Sequence, residues 1–205
     1  MILIIDYKAG NLTSVKRALD YLEIPNRFVK TGDELRDAEH IIFPGVGHAG
    51  TAMTVLKERG FDVALREAFE RGTPIMGICV GAQVSLSHSD EGDTPCLNLI
   101  EGNCPRFELT DKSLKVPHMG WNAVTVTQPH PILQDLQLGD EFYFVHSYYP
   151  KPNDPANIYA TCEYEITFPA AIGYKNLFAT QFHPEKSGRI GLNILRNFAR
   201  WNGTV

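Results

Sequence analysis

A cysteine in a glycine-flanked turn is the residue best suited to chemistry in this sequence. Cys79 lies within residues 77–83 (GICVGAQ), directly after an apolar stretch that indicates a buried strand. Small residues flank a nucleophile where the chain turns sharply from a strand into a helix, and the N-terminus of that helix stabilises a thiolate. The alternative is that Cys79 is a small buried hydrophobic residue, which is the usual environment of a free cysteine.

A cysteine nucleophile needs a general base, and the base needs a group that orients it. His183 and Glu185 stand two residues apart in the segment QFHPE, at the end of another expected strand. Residues two apart on a strand point to the same side, so Glu185 can reach the imidazole of His183. A histidine before proline is by itself more often a surface loop residue. The combination with Cys79 favours a catalytic triad of Cys79, His183 and Glu185.

Acyl transfer also requires hydrogen-bond donors for the developing oxyanion. The segment PGVG follows an expected strand, and its glycines allow the backbone N–H groups around Val46 and Gly47 to turn towards a site. The N–H of Val80, next to the nucleophile, is the second expected donor. The alternative is a tight turn without any role in chemistry, and this segment alone favours that alternative.

Elements that would position these residues alternate in the first half of the chain. Residues 2–5, 41–43 and 74–78 are short apolar runs, and helical periodicity runs from Asn11 to Leu22 and over Phe61–Glu70. Near-continuous apolar strands separated by helices predict right-handed crossovers and a parallel sheet that is covered on both faces. The carboxyl ends of such strands meet at one edge, where α/β proteins place their ligands.

The second half has a different pattern. Alternating or aromatic stretches at residues 124–127, 142–145, 158–161, 171–174 and 177–180 predict antiparallel or mixed β structure added to the parallel sheet, and residues 189–201 predict a final amphipathic helix. The polar stretch 87–94 is expected to be a mobile loop. The predicted fold class is therefore α/β, with a mostly parallel, mixed central sheet, helices on both faces and antiparallel β additions in the C-terminal half. One domain over residues 1–205 is expected.

Composition narrows the class of protein further. The 205 residues carry a net charge of -5, which argues against binding to nucleic acid, because that affinity rests largely on basic side chains. No stretch is apolar for long enough to be a signal peptide or to cross a membrane. The four cysteines form no CxxC pair, and no cluster has metal-ligand spacing. We expect a cytoplasmic protein without metal or cofactor.

Taken together, the segments PGVG, GICVGAQ and QFHPE resemble the triad (class I) glutamine amidotransferases, whose motifs follow the same order along the chain. Residues 6–16, 117–122 (PHMGWN) and 142–148 (FYFVHSY) are similar, more particularly, to the glutaminase subunits of imidazole glycerol phosphate synthases. This resemblance covers nearly the whole chain, and PHMGWN is its most specific part.

The resemblance implies a reaction and a set of roles. Cys79 would attack the carboxamide of glutamine, His183 would protonate the departing ammonia, and Glu185 would hold the imidazole tautomer. Gln83 and the backbone around Ser147 and Tyr148 would contact the substrate, while Val46 and Gly47 would belong to the oxyanion strand.

The resemblance also implies a partner, a (β/α)₈-barrel cyclase that uses the ammonia to make imidazole glycerol phosphate and an aminoimidazole carboxamide ribotide in histidine biosynthesis. His118, Met119, Trp121 and Lys186 would face that partner in a heterodimer. For Trp121 the alternative is a core aromatic, and for Lys186 a solvated lysine. Three other functions remain open at this point. They are a glutaminase that serves another amination pathway, a stand-alone cysteine hydrolase, and a binding module in which Cys79 is inert.

Overall fold

A computed structural model describes residues 1–6, 12–45 and 47–204 of the chain. Val46 of the predicted oxyanion strand, and residues 7–11 of the first family-like segment, lie outside the described residues. The α-helices are α1 (Leu12–Tyr21), α2 (Ala49–Glu58), α3 (Phe61–Glu70), α4 (Val80–Val84) and α5 (Gly188–Arg200). The strands are β1 (Ile2–Ile5), β2 (Asn26–Val29), β3 (His40–Gly45), β4 (Ile75–Cys79), β5 (His88–Ser89), β6 (Thr94–Pro95), β7 (Gly102–Cys104), β8 (His118–Val126), β9 (Glu141–His146), β10 (Lys151–Pro152), β11 (Ile158–Tyr164), β12 (Ile166–Tyr174) and β13 (Leu177–Thr180).

The large sheet joins nine of the described strands in the order β2-β1-β3-β4-β13-β12-β11-β8-β9. Its first five strands are parallel, and every residue of β1, β4 and β13 is buried, because helices cover both faces there. From β13 onwards each neighbouring pair is antiparallel. The predicted α/β class, with its mixed sheet and antiparallel additions in the C-terminal half, is confirmed.

The register of the parallel strands brings the three segments with predicted catalytic roles to the same edge of the sheet. Gly45 at the end of β3 pairs with Cys79 at the end of β4, and Thr180 at the end of β13 pairs with Ile78. Gln181 and His183 therefore leave the sheet beside Cys79. The carboxyl edge of three adjacent strands thus supplies the PGVG, GICVGAQ and QFHPE segments together.

Some elements differ from the sequence expectations. The sequence analysis did not identify β2, which is only four residues long, or α2, whose buried positions Ala49, Ala52, Met53 and Leu56 have helical spacing but include two small alanines. The stretch 87–94 is not simply a loop, because it contains β5, which pairs with β6 and β7 in a separate four-stranded sheet. The side chain of His88 also bonds to Asn103 and Asp93. Within the described residues, no helix is both long enough and apolar enough to cross a bilayer.

Three histidines are buried among aromatic side chains. His118 stacks on Tyr164 and Phe144 with ring centroids 4.0 and 4.9 Å away, and His130 lies 4.4 Å from the ring of Phe178. Burial lowers the pKa of His118 and of His130 to about 4, and the pKa of His146 to about 3. All three are therefore neutral in the folded chain at neutral pH.

Buried neutral histidines make stability depend on pH. The unfolded chain protonates each of them near its ordinary pKa of about 6.5, so below that pH the unfolded state binds more protons and the free energy of unfolding falls. We expect a loss of about 1 kcal/mol per histidine, and so about 3 kcal/mol in all, between pH 6 and pH 5 in urea unfolding. His130→Phe should reduce this slope by about a third. An unfolding free energy that stays constant over this interval would contradict the prediction.

Candidate active site

Cys79 occupies a strained turn between β4 and α4. Its φ of 55° and ψ of -107° lie in a backbone region that non-glycine residues rarely adopt, which is characteristic of a nucleophile held at a sharp turn. A Cβ at Gly81 would come within 2.1 Å of the Phe43 carbonyl oxygen, and one at Gly77 within 2.9 Å of the Gly81 backbone. The two glycines are required because the turn packs directly against its neighbours.

His183 and Glu185 form a buried pair beside this turn. Nδ1 of His183 donates to Oε1 of Glu185 at 2.8 Å, and the two side chains are only 1% and 3% exposed. Nε2 of His183 has no hydrogen-bond partner among the described residues. Burial by itself lowers the pKa of His183, but its interactions with Cys79 and with Glu185 raise that pKa to about 10. The free nitrogen is therefore the one available for proton exchange at Cys79.

The turn that carries this pair is anchored to strand β9. The N–H of His183 donates to the carbonyl of Tyr143 at 3.0 Å, and the hydroxyl of Ser187 accepts from the N–H of Tyr143 at 3.0 Å. The same hydroxyl donates to the carbonyl of His183 at 2.6 Å. Ser187 is buried, so these bonds are protected from water and fix the backbone on which the imidazole stands.

A cavity of about 350 Å³ opens at Cys79, a size suited to a small-molecule ligand. Its lining includes five predicted site residues besides Cys79, namely Gly47, Val80, Gln83, Ser147 and Tyr148. Gly47 has a φ of 101°, which favours glycine, and Val80 is the first residue of α4, so its N–H has no partner within the helix. Both backbones can present donors to a ligand at the thiol.

Glu91 also lines this cavity, and no clear feature of the local sequence pointed to it. Its Oε2 accepts from the N–H of Ala49 at 2.6 Å, at the N-terminus of α2, which tethers the carboxylate beside the Gly47 turn. The residue falls in the polar stretch that was expected to be a mobile loop. Its acidic side chain gives the cavity a group that can bind a cation.

Gln181 is a second residue that the sequence pattern did not single out, although it opens the QFHPE segment. It is fully buried, and its Nε2 donates to the Cys79 sulfur at 3.6 Å. Its Oε1 accepts from Nε2 of Gln83 at 3.0 Å, and Gln83 also donates to the Tyr148 carbonyl at 2.9 Å. The thiol is thereby linked to one wall of the cavity.

The other three cysteines differ from Cys79 in their surroundings. Burial raises the pKa of Cys96 to about 11 and that of Cys162 to about 12, and it raises the pKa of Cys104 well above its ordinary value. These thiols stay neutral at physiological pH. In the part of the chain that the structure describes, no three His, Cys, Asp or Glu side chains are grouped so that they could hold a metal ion.

Three of the residues predicted to face a partner lie on β8, and the fourth, Lys186, lies in the turn after His183. Met119 is 63% and Trp121 54% exposed, so Trp121 is not a core aromatic. Trp121 meets the ring of Tyr143 on β9 at 6.2 Å, and the Lys186 ammonium lies 5.5 Å above that ring. Together, Met119, Trp121, Tyr143 and Lys186 form an outer patch.

The structure corrects the prediction that His118 faces a partner. Its side chain is only 3% exposed and points into the aromatic cluster. Successive side chains of a strand alternate between its two faces, so His118 cannot share the outer face of β8 with Met119.

Comparison with known proteins gives a consistent picture. The family model for class-I glutamine amidotransferases matches residues 3–201. An imidazole glycerol phosphate synthase subunit HisH from Nitratidesulfovibrio vulgaris (strain DP4) is 48% identical over 206 residues, which cover 98% of this chain and 96% of that protein. A HisH subunit from Dechloromonas aromatica (strain RCB) is 43% identical over 208 residues, with 98% and 96% covered.

Solved structures resemble the fold at much lower sequence identity. A glutamine amidotransferase crystal structure superposes with a TM-score of 0.77 at 19% identity, and the match covers 100% of both chains. A chain in the structure of PurLQS from Thermotoga maritima gives a TM-score of 0.76 at 20% identity, with 97% of each chain covered. At these identities the likeness concerns the fold alone.

Proposed function

Since the chain belongs to the class-I glutamine amidotransferases and, within them, to the HisH subunits of imidazole glycerol phosphate synthase, we propose that Cys79, His183 and Glu185 carry out its glutaminase reaction. Membership of this family makes the chain a glutaminase subunit that serves histidine biosynthesis, and the lyase activity belongs to the synthase complex. The observation that carries the catalytic assignment is the strained turn of Cys79 beside the buried His183–Glu185 pair.

The first half of the reaction forms a thioester. The Cys79 thiolate attacks the γ-carbonyl carbon of glutamine, and the carbonyl oxygen takes up the negative charge. His183 then gives the proton on its Nε2 to the leaving nitrogen, the C–N bond breaks, and ammonia departs. Glu185 holds the protonated imidazole in place by accepting from Nδ1 at 2.8 Å. Donors at Gly47 and Val80 would stabilise the oxyanion.

The second half hydrolyses the thioester. His183, now neutral, takes a proton from water as the water attacks the γ-glutamyl carbon, and the C–S bond breaks to release glutamate and the Cys79 thiolate. The same nitrogen thus acts as acid and then as base. Because His183 is deeply buried and is fixed by Glu185 and by its backbone bonds, it needs no reorientation between the two steps.

Substrate recognition would use both ends of glutamine. Gln83 donates its two amide hydrogens to Tyr148 and Gln181, so its carboxamide oxygen is the group that remains available to a ligand in the cavity. The Glu91 carboxylate is suited to bind the α-ammonium group of an amino acid through a charge-assisted hydrogen bond. Backbone groups of Ser147 and Tyr148 complete the wall that would face the substrate.

The subunit needs an acceptor for its ammonia. A HisH subunit implies a partner, and we propose that it is a (β/α)₈-barrel cyclase that binds over the outer patch in a heterodimer. An exposed tryptophan and methionine beside a lysine, on one strand pair, give this patch the apolar anchors and the charge that interfaces favour. The PurLQS structure from Thermotoga maritima likewise contains a chain of this fold.

Coupling to the partner is testable. We expect weak glutaminase activity from the subunit alone and an increase of about 10²-fold or more when the cognate cyclase and its nucleotide substrate are present, because closing the site around a partner completes the catalytic arrangement. Steady-state glutamate release, measured with and without the cyclase, checks this expectation. Trp121→Ala should weaken the stimulation, whereas Leu138→Ala, at a highly exposed position outside the patch, should not. Equal turnover with and without the cyclase would contradict the coupling.

A further inference from the structure

The carbonyl oxygen of Tyr148 accepts two hydrogen bonds. Nε2 of Gln83 donates to it at 2.9 Å and Nδ1 of His146 donates to it at 2.8 Å. A carbonyl oxygen can only accept, so both partners must present an N–H. This requirement fixes the carboxamide orientation of Gln83 and the tautomer of His146.

His146 continues into a series of hydrogen bonds in which the donor and the acceptor of each bond are fixed. Because neutral His146 carries its proton on Nδ1, its Nε2 must accept, and it does so from Nδ1 of His118 at 3.1 Å. Nε2 of His118 then faces the Asn122 amide nitrogen at 3.5 Å, and that amide also donates to the Glu163 carbonyl at 2.8 Å. Every imidazole nitrogen in the pair therefore has a partner.

Gln83 extends the same series of hydrogen bonds to the nucleophile. Once Gln83 turns its amide nitrogen towards Tyr148, its second hydrogen reaches Oε1 of Gln181. Gln181 must then present its own amide nitrogen to the Cys79 sulfur, at 3.6 Å. Both glutamines are buried, so water does not compete strongly for these bonds.

We propose that His118 and His146 are positioning residues for the glutaminase reaction, which act through the Tyr148 carbonyl on Gln83 and, through Gln181, on Cys79. The inference rests on the proposed function and adds two residues to its site, namely His146, which lines the cavity, and His118, which is buried and bonded to His146. This series of hydrogen bonds starts on β8, whose outer face carries Met119 and Trp121. The strand that would meet the partner is thus joined by hydrogen bonds to the nucleophile.

Packing alone does not explain two histidines at these positions. His118 stacks between Phe144 and Tyr164, and His146 lies 5.2 Å from both Phe107 and Phe168. A phenylalanine would fill such a cluster without the cost of burying imidazole nitrogens. What an imidazole adds at each position is a donor on one side and an acceptor on the other.

The test compares two replacements of His146 in the synthase complex. His146→Leu removes both nitrogens, and we expect it to lower kcat/KM for glutamine by about tenfold or more, with KM raised and kcat lowered, because Gln83 contacts substrate and Gln181 contacts the nucleophile. His146→Asn keeps an N–H near the position of Nδ1 and should stay within about threefold of the wild type. Ammonia-dependent synthesis should remain unchanged in both.

Two further variants separate positioning from folding. Phe168→Leu perturbs the same aromatic cluster but removes none of the hydrogen bonds between His118 and Cys79, so it should lower Tm but leave kcat/KM for glutamine unchanged. His118→Phe keeps the ring stack but removes the donor to His146, and it should reduce kcat/KM. Equal losses for His146→Leu and His146→Asn, or no loss in His146→Leu and His118→Phe, would overturn the inference. If the wild-type complex itself failed to use glutamine, the proposed function would fail instead.

Discussion

Cys79→Ala should abolish glutamine-dependent synthesis by the complex, with a loss of at least about 10³-fold, while synthesis from added ammonium salts is retained. Without the thiol no γ-glutamyl thioester can form, and the amide must be cleaved by water at a site that is shaped for covalent transfer. Ammonia supplied from solution bypasses this step, because it needs only the synthase partner. Assaying the same complex with glutamine and then with ammonium chloride measures both quantities.

A second buried cysteine provides a matched control for this experiment. Cys162 is another buried cysteine, on β11, and its thiol is held neutral by burial, so Cys162→Ala should leave glutamine-dependent synthesis intact. Loss of both activities in Cys79→Ala would mean that Cys79 supports the structure of the complex. Retained glutamine use would remove Cys79 from the mechanism.

Glu185→Gln should lower kcat for glutamine by about 10² to 10⁴-fold with little change in Tm, because it replaces a buried acceptor by a group of the same shape. The glutamine amide can donate to Nδ1 of His183, and this would move the imidazole proton to Nε2, the nitrogen that is left for exchange with Cys79. A neutral imidazole in that tautomer cannot take a proton from the thiol or from water. Stopped glutaminase assays and thermal melts of the same preparation separate the two effects.

A matched carboxylate provides the reference for this variant. Glu163 on β11 accepts from Thr167 on the exposed face of the sheet, so Glu163→Gln should change neither kcat nor Tm appreciably. Glutaminase activity within about twofold of the wild type in Glu185→Gln would show that another group orients His183. A large fall in Tm would instead show that the carboxylate acts chiefly in folding.

Local residue order was sufficient to predict the strands that carry the chemistry. The apolar run before Cys79 predicted a buried strand and the pattern of residues 177–180 predicted a strand before His183, and β4 and β13 lie there with every residue buried. Glycines at 77 and 81 predicted a sharp turn, and the close approach of Phe43 to Gly81 supplies its physical reason. The antiparallel strands of the second half followed from alternating and aromatic stretches, while β13 also pairs in parallel with β4. Local pattern missed the four-residue strand β2 and the helix α2, whose stability comes mainly from packing against the rest of the fold.

Contacts between distant segments could not be predicted in the same way. Glu91 belongs to a polar stretch, and only the fold sets its carboxylate at the N-terminus of α2 beside the cavity. His118 lies in the PHMGWN motif that was expected to face a partner, yet the register of β8 turns its ring into the core, where it meets His146 from β9. A shift of one residue would have exposed it.

The sequence by itself determined that Cys79 stands in a nucleophile-type turn and that His183 and Glu185 are spaced to work as a pair, since both depend on residues near each other along the chain. Only the tertiary structure decided which groups surround that thiol. The Gln181 amide at the sulfur, the Glu91 carboxylate in the cavity and the histidines behind Tyr148 come from separate elements. Their approach depends on strand order, register and side-chain burial, which no local pattern encodes.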